Sequence, residues 1–166
     1  HFGETAWYDW PDQALRDHDP AALAPWRTAL AEDIAFHETV QCWFFSQWKA
    51  LKDHANGLGV GIIGDLPINV SLDSADVWSE RREFLLDETG KPSRVAGVPP
   101  DYFSEEGQLW GNPLYDWAAM KQDGFGWWIR RVEGASHLFD AIRIDHFRAF
   151  ERYWSVPAGA ESAKEG

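Results

Sequence analysis

A single cysteine, Cys42, stands in the chain, so no disulfide framework can brace the fold, and a reducing, cytosolic setting fits best. Within "VQCWFF" that thiol is expected to be buried and inert. No apolar run approaches the roughly 18–20 residues that cross a bilayer, and no leader pattern opens the chain. A membrane role is therefore not expected. Basic residues are also scarce: 15 Lys and Arg face 27 Asp and Glu, a net charge of −12. With no polybasic run, a nucleic-acid partner is not expected either, because such binders carry basic patches. The six His are scattered, so neither a metal site nor a cofactor is implied. "HETVQ" lacks the second His of a zinc-protease helix, and "GLGVG" precedes a strand where a dinucleotide fingerprint would follow one.

Aromatic rings are what the chain has in excess. Eleven Trp and ten Phe in 166 residues are more than a core of this size easily uses, because each buried indole N–H needs a partner. Some of the rings are expected to face a ligand. The chain opens on "HFGETAWYDW" without Met and closes on "AKEG" without a terminating element, so it reads as a piece of something longer.

Residues 1–30 hold turn formers, Trp and Pro, and predict a loop with one or two helical turns. Residues 31–56 carry Ile34, Val40, Phe44, Phe45, Trp48 and Leu51 at helical spacing, and "ANGLG" closes that helix. His37 and His54 read as ordinary helix-face residues. "VGIIGDLPI" is a short β-branched run bounded by Gly and Pro67, a buried strand near 60–65. Residues 71–112 read as a long insertion. Within it, "EFLLDETGKPSRVAG" suggests a small hairpin. "NPLYDWAAMKQ" suggests a helix with Asn112 as cap and Pro113 at its first position. "GFGWWIRRVEGASHLF" gives an amphipathic helix and "AIRID" a second strand near 141–145. Helix, strand, insertion, helix, strand is the rhythm of α/β chains with parallel strands. A (β/α)8 barrel typically takes about 250 residues. Two barrel strands with a long insertion after one of them, over 1–166, would be part of such a barrel.

Both strands end in carboxylates, Asp65 and Asp145, and in a parallel barrel both ends lie on one face. Arg143 and Asp145 are two apart and share one side of their strand. A guanidinium keeps a neighbouring carboxylate ionised and oriented, as a nucleophilic carboxylate requires. Spacing alone leaves a structural ion pair at a barrel rim equally open. "DYFSEEGQLWGNPLYDW" places Tyr102, Phe103 and Trp110 in a glycine-bearing loop, where flat rings suit the C–H faces of sugars. Trp110 pinning the loop to the core is the plainer alternative.

"GDLPINVSLDSADVW", "VAGVPPDYFSEEGQLWGNPLYDW" and "AIRIDHFRAFERYW" resemble the amylomaltases, the 4-α-glucanotransferases or disproportionating enzymes of the α-amylase superfamily. The resemblance runs the length of the chain and is strongest over 60–154. It implies that Asp145 is the nucleophile forming a covalent glucosyl-enzyme, that Arg143 orients it, and that Asp65 supports both. It further implies that Tyr102 and Phe103 lie in a mobile loop over the glucan cleft. Trp110 would stack near the acceptor sugar with Asn112 beside it, and His146 would contact substrate. Asn69 departs from the pattern, standing where many amylomaltases carry an aromatic residue. The family's acid/base Glu and third Asp belong to later strands, and none of Glu151, Glu161 or Glu165 has the context to replace that Glu.

The expected activity is α-1,4-glucan transfer on maltooligosaccharides by a retaining double displacement. Hydrolysis of the amylase type and a silent glucan-binding module are the alternatives. An assay with and without glucose acceptor separates the first, and titration without turnover marks the second.

Overall fold

The computed structural model describes residues 2–166. Its first thirty residues are more helical than their turn formers suggest. A short turn at Trp7–Asp9 leads to α1 (Gln13–Arg16) and the ten-residue α2 (Pro20–Ala29). Asp12 and Asp19 cap the two helices: each carboxylate accepts from two backbone amides of the first turn. Pro20 occupies the first helical position, where no amide is needed, and Pro25 is tolerated farther in. These prolines masked α2 in the sequence.

Helix α3 (Ala31–Gly57) matches the spacing of its apolar residues, but that spacing does not mark a buried face here. Phe36, Trp43, Phe44, Phe45 and Leu51 are each more than half exposed, and no residue of α3 is buried. Cys42 is exposed as well, contrary to the expected buried thiol. The physical reason is that α3 packs on α2 and α6 (Gly126–Leu138) along one side only. Trp48 makes that contact, donating its indole N–H to the Leu138 carbonyl at 2.8 Å and meeting the Phe139 ring edge-on.

Strand β1 (Ile63–Leu66) follows, and after α4 (Ala75–Ser79) comes an antiparallel sheet. Its strands are β2 (Arg94–Val98), β3 (Gln108–Pro113) and, far along the chain, β5 (Trp154–Pro157), in the order β3-β2-β5. The expected hairpin forms only its turn, where the Asp87 amide donates to the Lys91 carbonyl. Phe84 bridges to Tyr115, while β2 pairs with β3 and β5. The expected helix start at Asn112 is likewise corrected. Asn112 and Pro113 end β3, and α5 (Trp117–Gln122) begins three residues past Leu114 with Asp116 as its cap. Asp116, immediately before the helix, caps as well as an Asn would.

Helix α6 then returns the chain to β4 (Ala141–Ile144), which pairs parallel with β1. The content is therefore α/β, with one parallel pair beside one antiparallel sheet. Against the parallel pair and helices α4, α5 and α6 sits a core of Leu66, Ile68, Val77, Tyr115, Met120, Trp127 and Trp128 with their neighbours. The Trp surplus is largely explained by this packing. Trp7 and Trp78 donate to the backbone carbonyls of Leu72 and Leu15 at 2.7–2.8 Å and so brace distant segments, while Trp154 donates locally to the Ala163 carbonyl at 2.8 Å. Among the described residues no helix is long and apolar enough to cross a membrane.

Candidate active site

The parallel register of β1 and β4 sets Asp65 opposite Arg143. Because both side chains leave the pair at matched positions, the planar guanidinium meets the carboxylate fork to fork. Nε donates to Oδ1 at 3.0 Å and Nη2 to Oδ2 at 2.7 Å. Two parallel charge-assisted bonds fix orientation as well as distance. The hydrogen bond from Arg143 holds the Asp65 carboxyl below the usual carboxylate range, and Arg143 is raised in turn, first by Asp65 and further by the charge of Asp145. Gly64, next to Asp65, lets the strands and the α6 terminus close up: a Cβ there would lie 2.0 Å from the Phe139 ring.

Asp145 is the residue after β4, half exposed at the strand end. The next residue, His146, has φ 49° and ψ 40°, a left-handed conformation that costs a non-glycine residue roughly 1–2 kcal/mol. This bend turns the chain into the short helical segment Phe147–Phe150 and carries the imidazole across to β3. There the His146 and Trp110 rings meet edge-on with centroids 4.7 Å apart. His146 Nε2 stands 3.8 Å from Asp145 Oδ2, beyond hydrogen-bond range and within reach of an ion pair once the imidazole is protonated. A cleft of about 390 Å³ opens beside these residues, lined by Trp110, His146 and Asn69 among others.

The structure thus brings together Asp65, Arg143, Asp145, His146, Trp110 and Asn69 at the ends of β1 and β4 and the facing edge of the sheet. Asn112 is close by, but its amide is engaged: Nδ2 donates to the Val70 carbonyl at 2.7 Å and ties β3 to the chain leaving β1. Tyr102 and Phe103 are held apart from this group. They project into solvent, 96% and 93% exposed, and meet each other edge-on. Asp101 shapes their loop by accepting from the amides of Phe103 and Ser104. Gly107 closes it at φ 69°, where a Cβ would strike the Val98 carbonyl at 2.3 Å. Arg148, Arg152 and Tyr153 also line the cleft and escaped sequence reasoning. Their signal was present in "FRAFERYW", where two Arg four apart share one side of a helical turn.

The cleft region thus combines the ion-paired carboxylate of Asp65, a second carboxylate in Asp145, an aromatic wall and further arginines. Comparison with known proteins places this arrangement. The family model described as 4-alpha-glucanotransferase matches residues 1–166, and the chain belongs to that family. A 4-alpha-glucanotransferase of Thermus thermophilus is 54% identical over 164 residues, covering 99% of this chain and 33% of the relative. A chloroplastic/amyloplastic 4-alpha-glucanotransferase of Solanum tuberosum is 50% identical over 153 residues, covering 92% and 26%. Among solved structures, the amylomaltase from Streptococcus agalactiae in complex with acarbose superposes with a TM-score of 0.94 at 44% identity. It aligns with all of this chain, which covers 34% of it. The chain therefore spans about a third of the length of such relatives.

Proposed function

We propose that these residues form one wall of the active site of a retaining 4-α-glucanotransferase, with Asp145 as nucleophile and β1 and β4 as neighbouring strands of a (β/α)8 barrel. The observation that carries this reading is the bidentate Arg143–Asp65 pair bridging two parallel strand ends, with Asp145 one residue beyond β4. Parallel strands with functional groups at their carboxyl ends are the barrel arrangement. The single exposed Cys42 accords with a reducing compartment such as the cytosol.

In the first step an Asp145 carboxylate oxygen attacks the anomeric carbon of the donor glucan. The bond from that carbon to the leaving 4-oxygen breaks, and the leaving oxygen takes a proton from an acid. In the second step the 4-hydroxyl of an acceptor sugar attacks the same carbon, gives its proton to the conjugate base, and frees Asp145. Retaining chemistry needs two carboxyls about 5–5.5 Å apart, one of them protonated at the outset. Asp65 is unsuited to the acid role, because its bond to Arg143 keeps it ionised. The acid belongs on this reading to residues outside the 166, in the remaining length that relatives have. Arg143, held in place by Asp65, sets its positive charge near Asp145, while Trp110, His146, Asn69 and Asn112 bound the acceptor side. Tyr102 and Phe103, free in solvent, supply rings that close over a glucan and exclude water from the ester intermediate.

The test is Asp145→Asn in the whole polypeptide. Transfer between maltooligosaccharides should fall at least about 10³-fold with glucan binding retained, because the isosteric amide cannot form the ester. A glucosyl adduct on the peptide holding Asp145, trapped in the wild type and seen by mass spectrometry, would identify the nucleophile directly. Full activity in the variant would end the assignment.

A further inference from the structure

Trp110 lines two cavities. One is the cleft beside His146; the other is a larger groove of about 620 Å³, also bounded by Tyr8, Lys91, Gly111 and Ala158. The chain leaving β1 follows the same course, with Ile68 and Asn69 on the cleft and Leu72 on the groove. From these we infer that the groove is a distal glucan subsite. It holds glucosyl residues of an acceptor chain beyond the one seated against Trp110. This rests on the transferase reading above and adds to it a determinant of acceptor length.

Three features favour an uncharged, hydroxylated, ring-shaped occupant. First, the groove has two aromatic walls, Tyr8 and Trp110, and pyranose rings present flat C–H faces that suit such surfaces. Second, its cation is already neutralised: Lys91 Nζ lies 2.7 Å from Asp9 Oδ1 and 5.5 Å from the centre of the Tyr8 ring. An anionic ligand would have to break that ion pair, whereas a sugar hydroxyl can accept from the same ammonium without doing so. Lys91 also fixes Tyr8, so the ring is oriented before any ligand arrives. Third, the backbone at Gly111 and Gly159 is bare, with nothing within 4 Å of where a Cβ would be. That leaves peptide groups approachable by hydroxyls. The groove's size falls within the roughly 300–1,000 Å³ typical of ligand sites.

The experiment uses the whole polypeptide, one fixed maltooligosaccharide donor, and two acceptors, glucose and maltohexaose. Glucose reaches only the position at Trp110, while maltohexaose is long enough to enter the groove. Tyr8→Ala removes one wall; Ala158→Trp fills the groove from an exposed position and leaves the packing beneath untouched. Both variants should raise the KM for maltohexaose about tenfold, equivalent to about 1.4 kcal/mol, with KM and kcat for glucose unchanged. An unaltered maltohexaose KM in Ala158→Trp, or equal losses with both acceptors, would overturn the inference. If the wild type transfers to neither acceptor, the transferase reading falls separately. Calorimetric titration with maltohexaose then decides the groove: weakened binding in Ala158→Trp supports it, and unchanged binding overturns it.

Discussion

Adding one methyl group at Gly64 tests whether the strand packing beneath the site sets the geometry above it. Backbone propensity alone would favour the change, since glycine inside a strand costs roughly 0.5–1 kcal/mol relative to alanine. The structure opposes it. A Cβ on Gly64 lies 2.0, 2.2 and 2.3 Å from three atoms of the Phe139 ring, against the roughly 3.5–4.0 Å of a relaxed carbon contact. The ring must move by more than an ångström, and it already packs edge-on with Trp48 at 5.8 Å between centroids. Overpacking of this kind costs typically about 1–3 kcal/mol. The steric term therefore exceeds the propensity gain, and Gly64→Ala should lower Tm by roughly 2–10 °C in a cooperative unit of this size. Phe139 is also two residues before β4 begins, so a displaced ring shifts Arg143 relative to Asp65 and should depress kcat. The control is the double variant Gly64→Ala with Phe139→Leu, whose smaller side chain makes room for the methyl. Differential scanning calorimetry and transfer assays on all four proteins complete the cycle. A Gly64→Ala protein as stable and active as the wild type would refute the reasoning, as would strictly additive effects in the double variant.

Arg143→Lys keeps the charge and loses the planar fork, so kcat should fall by at least about tenfold while circular dichroism stays native; wild-type kcat would show that the bidentate geometry is idle. Trp110→Ala should raise the KM for acceptors and move Tm by less than about 8 °C, because its ring is partly exposed and its indole bonds only Gln108. A larger drop would make it a core ring. Glu83 is buried at 1% exposure with Oε2 unpartnered, and burial raises its carboxyl above the usual range despite the bond from Arg82. A raised acid favours folding while protonated, so this contribution is complete below the unfolded value near 4.5 and is lost as pH rises through the folded value. Glu83→Gln should therefore flatten stability against pH above about 4.5 and raise Tm at pH 7; an unchanged pH profile in urea melts would remove Glu83 from that account.

What the sequence revealed of the fold follows from where local signals are strong. The two short strands were legible because β-branched runs bounded by glycine and proline have few other uses, and α6 because its apolar residues recur at helical spacing. Strand β5 was not legible. "WSVP" is four residues long, and its partner β2 lies some sixty residues earlier, so nothing local announces the pairing. The Asn112 cap failed for a similar reason. Asn112 serves a long-range bond to Val70, and Asp116 was an equally good cap four residues on. At the site, strand spacing pointed to Arg143 beside Asp145, with Asp65 only as support; the structure makes Asp65 the bidentate partner, which depends on the register of β1 and β4. The arginines of the cleft wall and the groove behind Trp110 depend on how separate segments meet.

Register is also where fold and chemistry become one constraint. A one-residue slip of β4 against β1 would set Ile142 or Ile144 opposite Asp65 and turn Arg143 to the other face, because side chains alternate along a strand. Burial resists that slip: Gly64 and Leu66 are buried and Ile142 and Ile144 partly so, while Asp65 and Arg143 are exposed between them. Apolar packing on one face thus selects the register, and that register presents the ion pair and Asp145 on the other. The Asp65–Arg143 pair is itself exposed and so adds little to stability. Its value is directional. A bidentate pair across two strands holds one guanidinium in one orientation, and the carboxylate that begins the proposed reaction stands two residues beyond it on the same side.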